Sequence, residues 1–458
     1  GSTWYTYREH INISRRNSVF AGKELIAVDI TSAKDIRKKG MSSTLFNDLT
    51  TTDWSNVVSD TDKLSFAYYM EDSTGNNISK SNNDSIKITI TGNSQTEEIT
   101  FNSNNNNSGT VSFNNTMAID KQFLFITENG NVKGAGYNNL GQLGDGTKTN
   151  RSYFVKAQNL SDIKQVYAGS SHSMFLKENG DVWATGDGDY GRLATGGTMS
   201  HIEPAKSNIS NVKDISTNHY HTLFLLDDNT VKSVGSNSYG ALGVDSENTY
   251  IYEPIDTGLE NVKQISAGFY HSVFLLNDGT VKIAGYNSDG QLGMESINKT
   301  KTPIDIGLSN VKQVSAGEYS TYFLMEDGSV KAVGKNNYGQ LGIDNTVNQD
   351  TIIDIGLTNV KQIVTGLYNA FFILEDGSVK VTGNGSVGNL GTGNDNDQYE
   401  PIDIGLNNVK QIFSGNNSTI FLLNDGTVLA AGTNNFDKFA DEQYGAYLTP
   451  TDITSRLK

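Results

Sequence analysis

Three histidines recur at one position of a repeating sequence pattern, and imidazole is a common general base and metal ligand. His172, His221 and His271 each stand directly before an apolar, strand-like run. The next three copies of the pattern carry other residues at this position: Ser320, Asn369 and Ser418. A catalytic or metal-binding ring would therefore lack half of its members. We interpret the histidines as polar groups that begin an inner strand and hydrogen-bond to neighbouring backbone.

The remaining residues that could carry chemistry do not form a reactive set. The acidic stretches 187–189 and 395–397 offer calcium ligands, but neither continues into a twelve-residue loop with a terminal glutamate. The chain has no cysteine, which excludes a thiol nucleophile and a thiolate zinc site. The glycine-rich motifs recur in every copy and open no helix, unlike a nucleotide fingerprint. The sequence predicts no catalytic residue, no metal and no cofactor, and thus a protein that is not an enzyme.

Tyrosines occupy the positions that best indicate binding. Four consecutive copies have a tyrosine just before the histidine position: Tyr220, Tyr270, Tyr319 and Tyr368. The residue one step earlier varies, as in a solvent-facing loop: Phe269, Glu318 and Leu367. Tyrosine is enriched at interaction hot spots, so these residues are candidates for a binding surface. An alternative stays open, in which the four rings wedge between neighbouring inner strands as core.

Variable connections provide a second candidate surface. They follow the glycine motif at 244–253, 294–302, 343–351 and 392–400 and differ in charge and aromatic content. Three tyrosines in them are further candidate binding residues: Tyr250, Tyr252 and Tyr399. Loops on a rigid scaffold are where recognition concentrates. Unconstrained drift of these loops is the alternative.

A repeat of about 49 residues positions all of these residues. Its glycine motif begins at Gly136 and recurs with spacings of 50, 49, 50, 49, 49 and 49 residues, ending at Gly432. A turn such as Asn277–Gly279 precedes each motif, and we expect two-residue hairpin turns there. A strand such as VKQISAG (262–268) precedes six of the seven turns, and all five prolines share one phase. Proline lacks an N–H and is expected at a strand start or a sheet edge.

Seven such units predict an all-β, seven-bladed β-propeller of four-stranded blades over residues 117–458. A single small sheet cannot bury both faces, and radial closure leaves only short protected edges. The first unit shows no leading strand of the VKQISAG type, and 449–458 restart the repeat at its proline. We therefore expect the C-terminal segment to close the ring by pairing into the N-terminal blade.

The run at 266–293, with its His-Ser, Asp-Gly and Gly-Gln-Leu-Gly elements, resembles the repeat of the regulator of chromosome condensation family. This resemblance covers about three quarters of the chain and implies the same seven-bladed fold. The family includes an exchange factor for a Ran-type GTPase, ubiquitin-ligase modules, bacterial effectors and an inhibitor of β-lactamases. All grip a protein with a propeller face or edge, so the resemblance implies a protein partner without fixing which one.

Residues 1–116 predict a separate small β-rich domain, an adaptor that ends in an Asn/Ser-rich linker at 103–110. Segments 64–72, 85–91 and 97–101 alternate like strands. The tandem of this region with an Asn-rich propeller weakly resembles receptor-binding proteins of phage tails and bacterial surfaces. Homo-oligomerisation through this region is an open possibility, and the oligomeric state is not predicted.

Charge narrows the class of partner. The chain carries a formal charge of −16, and residues 117–458 hold 24 basic and 38 acidic side chains. An acidic propeller disfavours nucleic acid and anionic membranes, and no apolar stretch is long enough to span a bilayer. The sequence thus indicates a recognition protein for a protein or glycan, most concretely host cell-surface receptor binding by a phage-tail, tailocin or bacterial surface protein. The alternative is a soluble inhibitor or effector that binds an enzyme or a GTPase. The expected location is extracellular, at a cell surface or on a particle, with the cytoplasm left open.

Overall fold

The computed structural model describes the backbone of five strands within residues 8–102, and residues 117–127, 130–441 and 445–457 in full. The chain divides into two compact units, Gly1–Ser112 and Phe113–Lys458. The predicted linker at 103–110 lies outside the described residues.

The first unit contains two small antiparallel sheets. One pairs β1 with β3, and the other has the order β2-β4-β5. The strands are β1 (Arg8–Arg15), β2 (Leu25–Ser32), β3 (Leu64–Glu71), β4 (Ser85–Gly92) and β5 (Gln95–Asn102). Three of them, β3 to β5, lie where the alternating sequence predicts strands.

The second unit is a ring of seven four-stranded antiparallel blades, as the repeat predicts. Each blade is built from four strands consecutive in the chain. Blade 1 consists of β6 (Met117–Ile119), β7 (Gln122–Ile126), β8 (Val132–Gly136) and β9 (Arg151–Lys156), and blade 2 of β10 (Ile163–Ala168), β11 (His172–Lys177), β12 (Val182–Gly186) and β13 (His201–Lys206). Blade 3 consists of β14 (Val212–Thr217), β15 (His221–Leu226), β16 (Val231–Ser236) and β17 (Tyr250–Asp256), and blade 4 of β18 (Val262–Ala267), β19 (His271–Leu276), β20 (Val281–Tyr286) and β21 (Lys299–Asp305). Blade 5 consists of β22 (Val311–Ala316), β23 (Ser320–Met325), β24 (Val330–Gly334) and β25 (Gln349–Asp354), and blade 6 of β26 (Val360–Thr365), β27 (Asn369–Leu374), β28 (Val379–Gly383) and β29 (Gln398–Asp403). Blade 7 consists of β30 (Val409–Ser414), β31 (Ser418–Leu423), β32 (Val428–Thr433) and β33 (Ala446–Asp452). Three short 3-10 turns are also present: Asp189–Gly191, Asn435–Asp437 and Thr454–Arg456.

The core is divided into seven apolar clusters, each shared by two adjacent blades. Between blades 4 and 5, for example, Val273 and Leu275 of one sheet pack with Val314 and Phe323 of the next, all almost fully buried. The inner strands add hydrogen bonds across the same seams. The Gln264 amide donates to the Val314 carbonyl at 3.0 Å and accepts from the Val314 N–H at 2.9 Å. Gln313 pairs with Ile363 in the same way, so these two glutamines fix the register at the seams between blades 4 and 5 and between blades 5 and 6.

The turn between the second and third strands differs from the predicted two-residue type. In blade 4 the Leu276 N–H donates to the Thr280 carbonyl, so the turn holds three residues, 277–279. Only the third residue has a positive φ, +81° at Gly279 and +64° at Asn229. An Asp-Gly pair fits both turn types, and the extra residue relieves the need for a second positive φ. The interpretation of Asn229 as a glycine substitute is confirmed.

Prolines lie on the edge strands, as predicted from their missing N–H. All five belong to the fourth, outermost strand of a blade: Pro204, Pro254, Pro303, Pro401 and Pro450. A register shift interrupts the pairing next to Pro204, between the partners of Ala184 and Gly186. Proline thus also terminates sheet growth at the rim of the ring.

Ring closure follows a different route from the predicted strand exchange. Strand β33 pairs with β32 in its own blade, so the expected pairing of 449–458 into blade 1 is wrong. Blade 1 has its own leading strand, β6, which escapes the sequence pattern because it has only three residues and lacks the Lys-Gln pair. The C-terminal segment closes the ring by packing instead. Ile453 and Leu457 join a cluster with Met117 and Phe123 of blade 1.

Two alanines occupy a backbone position that glycine fills in the other five blades. Ala194 has φ +56° and Ala440 has φ +54°, whereas Gly144 and its four counterparts have φ between +67° and +74°. A left-handed conformation costs a non-glycine residue roughly 1–2 kcal/mol. We therefore expect Ala194→Gly and Ala440→Gly each to raise the free energy of unfolding by about 1 kcal/mol, measured by denaturant unfolding.

The matched control is Ala241→Gly, since Ala241 is equally buried but has no positive φ. This variant loses a packed methyl group and gains backbone entropy in the unfolded state, so it is expected to be destabilised. Equal effects of Ala194→Gly and Ala241→Gly would contradict the assignment of strain to the backbone.

Candidate functional site

One end of the propeller gathers the predicted binding residues. Three residues connect the first strand to the second in blades 2 to 7, and two do so in blade 1. The first strands contact one another around the axis. The last but one residue of each connection is Asp120, Ser170, His219, Phe269, Glu318, Leu367 or Asn416. The last residue is Lys121, Ser171, Tyr220, Tyr270, Tyr319, Tyr368 or Asn417. We call this end the connection face.

Blades 3 to 6 make the connection face aromatic. The rings of Tyr220 and Tyr270 stack with centroids 5.3 Å apart and planes 5° apart. Phe269 contacts both tyrosines edge-on, at 5.0 and 4.5 Å, and lies 5.4 Å from Tyr319. The structure thus brings together the candidate residues of blades 3 to 5 in one continuous contact. His219 joins this contact, with its ring 4.6 Å from that of Phe269.

Four further tyrosines belong to the same cluster and were missed at the sequence level. Tyr190 lies 5.5 Å from Tyr220, and Tyr239 lies 4.4 Å from Tyr270. Tyr286 and Tyr338 contact neighbouring rings in the same way: Tyr239 at 4.8 Å and Tyr368 at 5.1 Å, respectively. The signal that could have revealed them is present in the glycine motif. Its fifth residue is tyrosine in GDGDY, GSNSY and GKNNY, and its second is tyrosine in GYNSD.

The degree of burial of these aromatic side chains helps to decide whether they serve only as core. Tyr220, Phe269, Tyr270, Tyr319 and Tyr368 are all half-buried, in contrast to the fully buried phenylalanines of the strands. They therefore pack against one another and also present part of each ring to solvent. Their role as binding residues stays a prediction.

The hydroxyls of Tyr270, Tyr319 and Tyr368 remain protonated across the physiological range. Burial, the Tyr220 hydroxyl and neighbouring phenols raise the pKa of Tyr270. Burial and the Glu318 carboxylate raise the pKa of Tyr319, and burial with a hydrogen bond to Glu318 raises that of Tyr368. The cluster therefore offers O–H donors beside exposed ring faces, which is the combination that makes tyrosine effective at interfaces.

Two charged side chains, Lys335 and Glu318, lie within the aromatic region. The Lys335 ammonium lies over the Tyr319 ring, 4.6 Å from its centroid, and 5.5 Å from that of Tyr368. Glu318 is buried, at 7% exposure, and its Oε2 atom has no hydrogen-bond partner among the described residues. Burial raises the pKa of Glu318, while the Tyr368 hydroxyl and Lys335 oppose that shift. Leu367 lies beside Glu318, and its carbonyl accepts from the Glu318 N–H.

The other half of the connection face is polar. Lys121 donates to the Ser170 hydroxyl at 3.2 Å, and the Lys438 ammonium donates to the Asp120 carbonyl at 3.0 Å. Burial raises the pKa of Asp120 to about 6 and lowers that of Lys438 to about 8. Arg192 is also buried and donates to the His219 carbonyl at 2.7 Å. Basic residues thus hold the connections in place at three seams, between blades 7 and 1, 1 and 2, and 2 and 3.

The remaining candidate tyrosines lie on edge strands, not in free loops. Tyr250 begins β17 and contacts Tyr190 at 5.2 Å, so it extends the cluster outward. Tyr252 covers Gly191, and Tyr399 covers Gly339, each glycine belonging to the preceding blade. The connections after the glycine motif therefore end in fourth strands. Tyr250, Tyr252 and Tyr399 pack against the preceding blade and are also 39–44% exposed, so their role as binding residues stays a prediction.

The three in-phase histidines bridge adjacent blades. His172 Nε2 lies 2.7 Å from Thr217 Oγ1, His221 Nε2 lies 2.8 Å from Ser272 Oγ, and His271 Nε2 lies 3.0 Å from Thr321 Oγ1. Their expected position at the start of a strand is confirmed, but the partner is a hydroxyl of the next blade instead of neighbouring backbone. The neighbouring backbone is unsuited because its groups already pair within the sheet. The described residues contain no cluster of three or more metal-ligating side chains.

Burial makes these histidines sensitive to acid. Burial lowers the pKa of His221 to about 4. Burial, together with the charge of His221, lowers the pKa of His271 to about 3. Burial also holds the pKa of His172 well below its usual value. Below pH 6.5 the unfolded chain then binds protons that the folded chain does not. Stability is fully present above pH 6.5 and is lost as the pH falls, by about 1.4 kcal/mol per pH unit for each histidine.

We expect the triple variant His172→Asn, His221→Asn and His271→Asn to flatten this loss between pH 6.5 and 4.5. Asn369 occupies the same position in blade 6 and makes asparagine the natural replacement. The measurement is the urea midpoint against pH, with each protein referred to its own value at pH 8. Parallel curves for the variant and the parent chain would show that the histidines do not carry the acid response.

Seven closed blades of this repeat define a β-propeller of the regulator of chromosome condensation type. The RCC1-like domain matches residues 203–456, and the Regulator of chromosome condensation (RCC1) repeat matches residues 129–176 and 163–192. Since the first match spans more than half of the sequence, the chain belongs to the RCC1-like domain family.

Known relatives share parts of this architecture. The human X-linked retinitis pigmentosa GTPase regulator is 33% identical over 100 residues, which are 20% of this chain and 10% of that protein. The structure of Prp20p from Saccharomyces cerevisiae matches 66% of this chain and 80% of its own, at 22% identity and a TM-score of 0.59. Human WBSCR16 matches 70% and 93%, at 21% identity and a TM-score of 0.64. The chain thus shares the fold of these structures and spans a small part of the curated relative's length.

No helix among the described residues has both the length and the apolar character needed to cross a bilayer.

Proposed function

We propose that this chain is a non-catalytic propeller that binds a folded protein, a GTPase or an enzyme, through the aromatic half of its connection face. The observation that carries this proposal is the continuous, half-buried contact of Tyr220, Phe269, Tyr270 and Tyr319. Large amphipathic rings held in place lose little conformational entropy when a partner covers them. Such anchors dominate the binding energy of protein interfaces.

Two relatives support a protein as the partner. The human relative is named a GTPase regulator, and the structure of Prp20p is described with its binding to Gsp1p and to histones. The family resemblance noted from the sequence points the same way, toward exchange factors and inhibitors. These sources favour the soluble regulator over host-surface receptor binding, for which the tyrosine-rich face alone gives no specific argument.

The opposite end of the propeller is a weaker candidate because its acids serve the turns. Asp278 Oδ1 accepts from the Thr280 N–H and hydroxyl at 2.9 and 2.7 Å, and Asp327 does the same with Ser329. These hydrogen bonds lower the pKa of both aspartates. The interpretation of the hairpin acids as turn formers is consistent with this geometry. One oxygen of each carboxylate is therefore committed to the turn.

The test uses a purified Ran-type GTPase carrying fluorescent GDP and measures both binding and nucleotide release. We expect saturable binding that the triple variant Tyr220→Ala, Tyr270→Ala and Tyr319→Ala weakens by at least 100-fold. Faster nucleotide release would assign an exchange activity, and unchanged release would assign an effector or inhibitor. Tyr153→Ala is the matched control, because Tyr153 is an exposed tyrosine on an edge strand.

Retention on intact bacterial cells or glycan arrays, together with no binding to GTPases or enzymes, would overturn the proposal in favour of host-surface recognition. A location within the cell goes with the proposed function, and a location on a particle or cell surface goes with that second outcome. Fractionation of the native source would separate the two locations.

A further inference from the structure

A buried carboxylate at the centre of the aromatic half lacks a complete set of partners. Glu318 is 7% exposed, and its backbone is fixed on both sides, since its carbonyl accepts from Phe269 N–H and its N–H donates to the Leu367 carbonyl, both at 3.1 Å. Its Oε2 atom has no hydrogen-bond partner among the described residues. An unpaired oxygen of this kind is costly, and its presence calls for a group that completes it.

The surroundings of Glu318 already hold a cation. Lys335 lies over the rings of Tyr319 and Tyr368, at 4.6 and 5.5 Å from their centroids. The ion pairs of the described residues include none between Lys335 and Glu318. The charge of Lys335 nevertheless lowers the pKa of the Glu318 carboxyl. The ring faces are therefore suited to a positive group, and the present occupant does not satisfy the carboxylate.

A guanidinium from a bound protein would fit both the Glu318 carboxylate and the aromatic ring faces better than the Lys335 ammonium does. It is planar, stacks on aromatic faces and donates through a rigid fork to a carboxylate. An ammonium is a compact point charge on a flexible stem, which makes Lys335 easy to displace. The net charge of −16 also attracts a basic partner surface over longer distances.

We infer that Glu318, Tyr319 and Tyr368 form a receptor for an arginine side chain of the bound protein, and that Lys335 occupies this receptor in the free chain. This inference rests on the proposed function and names the chemistry of its anchor. Binding then exchanges one cation for another on the same rings, so the partner must displace Lys335. Removing Lys335 should accordingly favour the ligand, which a purely structural role of Glu318 would not explain.

The experiment titrates the full chain with the peptide acetyl-Gly-Arg-Gly-amide and, as the neutral isostere, with its citrulline counterpart, followed by tyrosine fluorescence and NMR. The arginine peptide is expected to bind at least ten-fold more tightly than the citrulline peptide. Glu318→Gln keeps the shape of the side chain and should remove this preference. Lys335→Met should strengthen arginine binding several-fold, whereas Lys361→Met, at an exposed inner-strand lysine, should leave it unchanged.

Equal binding of the two peptides, an unchanged preference in Glu318→Gln, or weaker binding in Lys335→Met would each overturn the inference. Thermal unfolding of both variants establishes that they remain folded. The outcome of this experiment is separable from that of the proposed function. If the triple tyrosine variant loses GTPase binding but the parent chain shows no preference for the arginine peptide, the connection face remains a binding interface and only the arginine receptor is rejected.

Discussion

Replacing Asp120 with alanine is expected to lower the free energy of unfolding of the propeller by about 3–5 kcal/mol. Lys438 of blade 7 is buried and reaches across the closing seam to the Asp120 backbone, with the Asp120 carboxylate raising its pKa against the effect of burial. Without that carboxylate the ammonium is a buried charge that keeps its backbone acceptor but loses its counter-ion. Urea unfolding at pH 7, followed by far-UV circular dichroism, measures the loss.

The seam between blades 1 and 2 has uncharged residues at the positions that Asp120 and Lys438 occupy at the closing seam. Gln142 and Ser170 occupy the positions of Lys438 and Asp120 at the seam between blades 1 and 2. The double variant Asp120→Ser with Lys438→Gln should therefore recover most of the stability lost by Asp120→Ala. A double variant as unstable as the single one would show that burial of the pair is not the cause.

Removing residues 446–458 is expected to have the second large effect, the loss of a single cooperative unfolding transition. The deletion removes β33, exposes the edge of β32 and takes Ile453 and Leu457 out of the closing cluster. Ile453 is fully buried, and the loss of one such side chain alone costs about 2–5 kcal/mol. Differential scanning calorimetry would show a broad, low-temperature transition.

Leu448→Ala provides the matched control for the deletion, since Leu448 lies on the same strand and is 39% exposed. Its melting temperature should stay within a few degrees of the parent value. An intact sharp transition after deletion of 446–458 would show that the ring closes without the C-terminal segment.

The blade architecture was predictable because the repeat shows each strand of the blade in several copies. The turn glycines, the VKQ strands and the in-phase prolines lie where their chemistry requires them. The closing seam was not predictable from the same pattern. Its leading strand, Met117–Ile119, is too short to display a period, and its stability depends on side chains that are distant in sequence, such as Ile453.

The candidate site was predictable in position but not in composition. Phase placed Tyr220, Tyr270 and Tyr319 at one end of the ring, and the structure puts their rings in contact. Tyr190 and Tyr239 come from a different loop of each blade, so only the three-dimensional arrangement unites them. Contacts between two side chains, such as that of the Lys335 ammonium with the Tyr319 ring, depend on side-chain rotamers, which the sequence pattern does not predict.

Amide hydrogen exchange of the chain, free and saturated with its protein partner, tests the central claim most directly. We expect protection on binding to concentrate in the connections 218–220, 268–270, 317–319 and 366–368. The hairpin turns at the opposite end, 227–229, 277–279, 326–328 and 375–377, should exchange at unchanged rates. Protection of these turns, with unchanged exchange in the connections, would contradict the assignment of the aromatic end as the binding face.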